Sequence, residues 1–318
     1  MIPLNNVLRS VYRINNEDSQ FNILSLCRNN EKYLGLLCKT PHNFYILADH
    51  PWNIMIEQVP DNLSVLNLHS KPLDCIICYD RSEQYNEAHS LAHRFHIPIV
   101  LVDMCSESLI RPQHLLEGVY AADPSLLYRH PDLRICNSSH IQNSWNKDSV
   151  SIVIPMGIDS ETFHSVPENQ TLVALDNNIS PQLGAEISNR IGKDYPIIPT
   201  DHDQTQPKAL TRSRYFVNTN QTVTVKLLEA MSCENVVIAV RNPDTESFIE
   251  HEKTGILIDH MDYIGPVIKN LEESQDLRVQ ISQNARKKIL TDHSIEKFIT
   301  KWSSAFSFLK SNFYTPHK

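Results

Sequence analysis

Residues 216–259 read FVNTNQTVTVKLLEAMSCENVVIAVRNPDTESFIEHEKTGILID, and the alternation within them sets the architecture of the chain. A short apolar strand at Tyr215–Asn218 runs into a polar turn. A helix is predicted to open near Val223, with Leu227, Leu228 and Met231 at helical spacing. A β-branched run over Val236–Val240 follows, then a helix over 245–250, and the tight turn Lys253-Thr254-Gly255 leads into Ile256–Ile258. Strands that are apolar throughout, alternating with helices, predict an α/β fold with a parallel sheet covered on both faces. The polar turn over 218–224 then lies at the carboxyl end of a strand and the amino end of a helix. In a doubly wound sheet ligands bind there, because unpaired N–H groups and the helix dipole converge on an anion. Thr222, Val223 and Thr224 can present N–H groups and hydroxyls to an anion, with Lys226 one turn further on. The same residues also read as an N-capped helix with a solvated lysine. Glu229 sits about two turns into the helix, beside the apolar stripe.

Working outward, 318 residues suffice for two domains with sizeable cores. The net charge of −8 gives no support for a general nucleic-acid-binding surface. Seven glycines leave no dinucleotide fingerprint or P-loop, and no apolar run approaches a membrane span. The first twenty residues lack the layout of a secretory signal. Seven cysteines scattered through expected strands and helices read as reduced thiols, hence a cytoplasmic protein.

Along the chain, residues 1–20 are compatible with a short amphipathic helix or a disordered start. Strands are expected at 21–27, 43–48, 73–78, 98–102, 133–137 and 150–154 in the first half. Helices are expected at 83–95, 115–127 and 138–145. The second half adds strands at 171–175 and 195–198, and helices at 183–191, 262–273 and 277–290. A last helix opens at Ser294, with Ile299, Trp302, Phe306 and Leu309 on its apolar side. Residues 155–167 are the best hinge.

Two ordered segments carry a family resemblance. LLEAMSCENVVIA followed by ESFIEHEKTGILID resembles the donor half of the GT-B glycosyltransferases, in particular the family 4 retaining enzymes. Upstream, Ile154-Pro155-Met156-Gly157-Ile158-Asp159 and then Phe163 resemble the segment by which that family passes between its domains. The compact size and altered motifs are similar in style to viral and bacterial members. The resemblance implies two Rossmann-like doubly wound domains facing a central cleft. An acceptor-side domain would span residues 1–160 and a donor domain 161–295, with 296–318 a helix returning to the first domain. It implies transfer of a sugar from a nucleotide sugar such as a UDP- or GDP-sugar, retaining and with neither metal nor cofactor. The acceptor hydroxyl is open among glycan, lipid-linked sugar, protein and, with less support, DNA. The protein would work in the cytoplasm, the host's if viral.

By resemblance Glu229 takes the ribose hydroxyls, since a carboxylate accepts from both members of a cis-diol. A helix-surface carboxylate is the other reading. Glu246 falls near the donor phosphates or ribose, and Gly157 and Asn177 fall on the donor side. The family's other donor-side glutamate is Gln221 here, which bonds sugar hydroxyls but brings no charge. The loop 176–180 lacks the family's Arg and Lys, and Met104 stands where a histidine is common. Asp103 either orients an acceptor hydroxyl or caps a helix, and Asn30 and Asp80 fall on the acceptor side. These departures motivate a rival reading, a GT-B-like binding or structural protein without catalysis. A narrower one is a viral DNA-base glycosyltransferase. His89 and His93, four apart on a helix, lack a third ligand nearby. Cys75 and Cys78 fall in a strand that points them to opposite faces.

Overall fold

The structure, a computed structural model, describes residues 20–27, 30–49, 52, 58–67, 72–79, 83–109, 130–145, 150–164, 173–176, 181–193, 195–200 and 206–313. The chain divides into two compact units, one of Met1–Pro155 with Phe298–Lys318, the other of Met156–Lys297. The expected helix at 115–127 lies outside the described residues, as does the start of the chain.

The first unit is built on β1 (Asn22–Leu26), β2 (Asn43–Ile46), β3 (Leu63–Val65), β4 (Cys75–Tyr79), β5 (Ile99–Asp103), β6 (Leu133–Cys136) and β7 (Ser151–Val153). Its helices are α1 (Glu31–Leu37), α2 (Glu83–Phe95) and α3 (Ser139–Ser144). Every described pairing is parallel, in the order β3-β2-β1-β4-β5-β6-β7. Runs such as CIICY in β4 and IVLVD in β5 are buried at every position, as strands covered on both faces must be. Cys75 and Cys78 are buried members of β4. The chain winds outward from β1 to β3, returns to β4 beside β1, and continues the other way. The strand order therefore reverses between β1 and β4.

The second unit carries β8 (Val173–Asp176), β9 (Ile197–Thr200), β10 (Tyr215–Asn218), β11 (Val236–Val240) and β12 (Ile256–Ile258). Its helices are α4 (Pro181–Ile191), α5 (Gln206–Arg212), α6 (Val225–Ser232), α7 (Pro243–Phe248), α8 (Ile264–Glu273) and α9 (Gln275–Asp292). The five strands are again all parallel, in the order β12-β11-β10-β8-β9. Here the order reverses between β8 and β10. Val217, Ile238, Ile187, Ile268 and Ile281 belong to one buried cluster that closes this sheet against its helices. Gly255 is the residue its turn requires, because a Cβ there would meet Ile249 Cγ2 at 2.9 Å and the Val237 carbonyl at 3.1 Å.

Sequence and structure differ at identifiable points. The helix expected near Val223 begins at Val225, because Thr224 is its N-cap, with extended backbone and Oγ1 accepting from Leu227 N at 3.2 Å. The helix expected at 245 begins at Pro243, where Asn242 forms a capping box and proline suits the first turn. Strand β3 and helices α1 and α5 are not among the expected elements; only Leu63 of the three β3 residues is buried, so that strand carries little hydrophobic signal.

The last helix, α10 (Ile295–Phe313), belongs to the first unit from Phe298 onward. Its apolar stripe builds an aromatic cluster. Phe298 lies 5.5 Å from Tyr33, Trp302 lies 5.3 Å from Phe306, and Phe306 meets Phe21 at 5.5 Å and His42 at 4.7 Å. Burial against these rings depresses the His42 pKa from the ordinary 6.5 to about 4, and Nδ1 accepts from Phe21 N. Because the folded pKa is the lower one, the unfolded chain binds the proton first as pH falls. The contribution of His42 is thus complete above about pH 6.5 and is lost as pH falls toward 4. We expect the first unit's stability to decline across that window, and His42→Phe to flatten the decline; an unchanged slope in urea melts of the variant would refute this.

Candidate donor-sugar site

The strand order reverses between β8 and β10, and the carboxyl ends beside such a reversal are the general ligand position of an open parallel sheet. The loop after β8, with Asn177, lies outside the described residues. The loop after β10 is described throughout. Asn218, the last residue of β10, is 1% exposed, and its Nδ2 donates to the Asn220 carbonyl at 2.9 Å. This curls the chain back over the strand end and sends it into Thr224 and α6. From the other side Asn242 Nδ2 donates to the Gln221 carbonyl at 2.9 Å. The same residue caps α7, with Oδ1 accepting from Asp244 N at 2.9 Å and Thr245 N at 3.1 Å. One asparagine thus fastens the loop after β10 to the loop after β11.

On this frame Gln221 is exposed and Thr222, Val223 and Thr224 are half-buried at the amino end of α6. The first N–H groups of a helix have no intrahelical acceptor and carry roughly half a positive charge between them. Lys226 and Glu229 are three residues apart, hence on one helical face one turn from each other. They are 8% and 4% exposed, so both charged groups sit in the protein rather than on a solvated flank. Burial first, and then the Glu229 carboxylate, push the Cys233 thiol up to about 12. An amino-terminal dipole, a cation in the first turn and a carboxylate in the next thus follow one another along α6.

Other residues singled out by sequence lie elsewhere. Glu246 is on α7, its carboxylate accepting from Arg241 Nη1 at 2.9 Å, while Arg241 Nε reaches Asp259 at 3.0 Å. Gly157 is buried in the segment that enters the second unit, where Ile158 N donates to the His293 carbonyl at 2.8 Å. Asn30 stands at the N-cap position of α1, four residues past β1, and makes no side-chain cap bond. Asp80 lies outside the described residues. Asp103 is fully buried at the end of β5, with Arg134 Nε 3.7 Å from its carboxylate. Arg134 also donates from Nη2 to the Gln142 carbonyl at 3.2 Å. This buried pair ties β5 to β6. Sequence reasoning missed Asn218, Asn242 and Arg134. The Asn-Pro pair directly after an apolar strand was a usable signal for Asn242. Nothing comparable marks Arg134, which reads as an ordinary surface arginine. Among the described residues no group of three or more His, Cys, Asp and Glu is placed to hold a metal, and no helix is long and apolar enough to cross a membrane.

Residues 197–304 match the model of the glycosyl transferase-like family, a span that contains β10, α6 and α7. Among solved structures, that of Anabaena HepE in complex with UDP superposes with a TM-score of 0.70 at 15% identity. The match covers 91% of this chain and 100% of HepE. Sucrose-phosphate synthase from Thermosynechococcus elongatus gives 0.71 at 11% identity, covering 92% of this chain and 100% of that one. The fold is GT-B. The calicheamicin glycosyltransferase CalG4 has the same fold at 11% identity, with a TM-score of 0.55 and cover of 93% and 100%. No curated protein sequence matches the chain. The GT-B part of the resemblance read from residues 216–259 is shown by the family match over 197–304 and by the fold, two parallel α/β sheets, each in its own unit.

The double role of Asn242 is testable with one substitution. Asn242→Asp keeps the cap acceptor and removes the Nδ2 donor to Gln221. It is expected to leave the melting temperature nearly unchanged while raising hydrogen exchange over 219–224. Asn242→Ala also loses the cap, at about 1 kcal/mol. Equal exchange in Asn242→Asp and wild type would remove the loop tie from the account.

Proposed function

We propose that this chain is a glycosyltransferase that moves a sugar from a nucleoside-diphosphate sugar to an acceptor hydroxyl, with retention and without a metal ion. The observation that carries the reading is the arrangement on α6. The N-capped amino terminus and Lys226 sit at the reversal of the sheet, and Glu229 lies one turn below on the same face. The helix terminus and Lys226 neutralise the diphosphate, which is the charge that grows as the donor's glycosidic bond breaks. Glu229 accepts from the ribose 2′ and 3′ hydroxyls and holds the nucleotide in register. Gln221, exposed at the mouth of the loop, hydrogen-bonds the donor sugar with its amide. The bond from the anomeric carbon to the phosphate oxygen breaks, and the bond to the acceptor oxygen forms on the same face. The acceptor proton passes to the departing phosphate oxygen, so no protein base is needed. Thr222 and Thr224 add hydroxyls at the phosphate end. Asn177 and Gly157 remain proposed donor-side positions, and Glu246 acts there only if it exchanges Arg241 for the ligand. On the acceptor side we place Asn30 and Asp80 at the reversal of the first sheet, with Asp103 supporting it through β5.

Because the HepE structures contain UDP and UDP-glucose, uridine donors are the first to test. A thermal-shift panel of UDP, GDP, ADP and their sugar conjugates, on wild type and Glu229→Ala, separates the alternatives. The expected result is a nucleotide-specific rise in melting temperature that Glu229→Ala weakens by about tenfold or more in ligand concentration. Hydrolysis or transfer from the stabilising sugar nucleotide should persist in EDTA. Binding without turnover on any acceptor would favour the non-catalytic reading that Gln221 motivates. No response to any nucleotide would overturn the assignment altogether.

A further inference from the structure

Helix α9 runs beside α6 in the opposite direction. Its first turns, with Gln275 and Arg278, line a cavity together with Arg214 and Val236 at the amino-terminal edge of the second sheet. Further along, Arg286 Nη1 donates to the carbonyl of Ser232, the last residue of α6. From that contact seven residues lead back to Val225, which opens α6, and seven lead forward to His293, the C-cap of α9. At 1.5 Å per residue each path climbs about 10 Å, so His293 stands level with the first turn of α6.

There His293 holds a segment from far earlier in the chain. Its carbonyl accepts from Ile158 N at 2.8 Å, and its Nδ1 lies 2.9 Å from the Met156 carbonyl. A carbonyl only accepts, so Nδ1 carries the proton and donates. Ser294 adds a parallel bridge to Ile158. His293 is 8% exposed, and its ring packs edge-on against that of Phe248 at 5.3 Å. Lys288 fixes Phe248 in turn, donating to its carbonyl at 2.7 Å. Met156-Gly157-Ile158 is thus held at both ends, and all three residues are buried. Between the two bonds, nothing among the described residues accepts from the Gly157 N–H or donates to its carbonyl. A buried backbone N–H without an acceptor is rare and costly, and a ligand that supplies the acceptor removes the cost.

We propose that His293 is a positioning residue of the donor site, holding Gly157 so that its N–H joins those of the α6 amino terminus on the donor's diphosphate. The inference deepens the donor assignment and rests on it. A backbone N–H suits a phosphate oxygen, and it adds a hydrogen bond to a site whose loop 176–180 brings neither Arg nor Lys. His293 acts through the two bonds that flank Gly157, and a substitution can remove the one made by its side chain.

The test is the rise in melting temperature of the full chain with UDP concentration, in wild type and two variants. Should GDP or ADP stabilise the wild type more, it replaces UDP. His293→Phe keeps a ring against Phe248 and removes the donor; the UDP concentration needed for a given rise should increase about tenfold. His293→Asn sets an amide N–H where Nδ1 stands and should remain within about twofold of wild type. A purely structural role would lower the melting temperature without ligand and leave the UDP dependence unchanged. Hydrogen exchange of the wild type over 156–158, with and without UDP, carries the test if His293→Phe does not fold; exchange at Gly157 should slow. The inference is overturned if His293→Phe keeps the wild-type UDP dependence, if His293→Asn loses as much as His293→Phe, or if UDP leaves exchange at Gly157 unchanged. A wild type that responds to no nucleotide overturns the donor assignment, and this inference with it.

Discussion

The strand order of the second sheet reverses between β8 and β10, and the candidate site follows from that reversal. Where successive crossovers leave in opposite directions, the strand ends are uncovered and the following helices point their amino termini into the gap. A bare gap is not a site until its loop has one shape. Two asparagine amides supply that here, Asn218 from within the strand and Asn242 from the neighbouring loop. Each satisfies a backbone carbonyl that would otherwise compete for the ligand's donors or for water. Thr224 then commits the chain to α6, and every side chain downstream inherits its direction from the helix. Lys226 and Glu229 are buried together because they share a face, not because they are adjacent in sequence.

The first unit shows the same parallel logic with different fastening. Its final helix joins it through an aromatic cluster of Phe298, Trp302 and Phe306 with Phe21 just before β1, Tyr33 of α1 and His42 in the turn before β2. At the carboxyl end of β5 a buried Asp103–Arg134 pair holds two strands together. Removing one member of such a pair strands a charge, so Asp103 is constrained by packing whatever else it does.

How far this was legible in the sequence depended on the strength of local signals. Fully apolar strands such as VVIAV and CIICY could be read directly, because a parallel sheet buries both of their faces and leaves no alternation to misread. The helix stripe of Leu227, Leu228 and Met231 identified α6, but not that Lys226 would be buried on the same face as Glu229. Boundaries were displaced by two residues where a cap decided them, at Thr224 and at Asn242, since a capping side chain is polar and looks like loop. β3 escaped because two of its three residues are exposed. Partners distant in sequence could not be seen at all. Arg134 with Asp103 and Arg241 with Asp259 are products of the fold, and residue type alone does not announce them.

The central claim is that the carboxyl edge of the β8–β10 reversal receives the nucleotide of a donor sugar. Hydrogen exchange of the intact chain with and without UDP tests it most directly, because it reports position as well as binding. The account predicts slowed exchange over 218–229, the loop after β10 and the first turns of α6, with little change at the amino-terminal edge around Arg214 and Arg278. Protection elsewhere with none over 218–229 would contradict it.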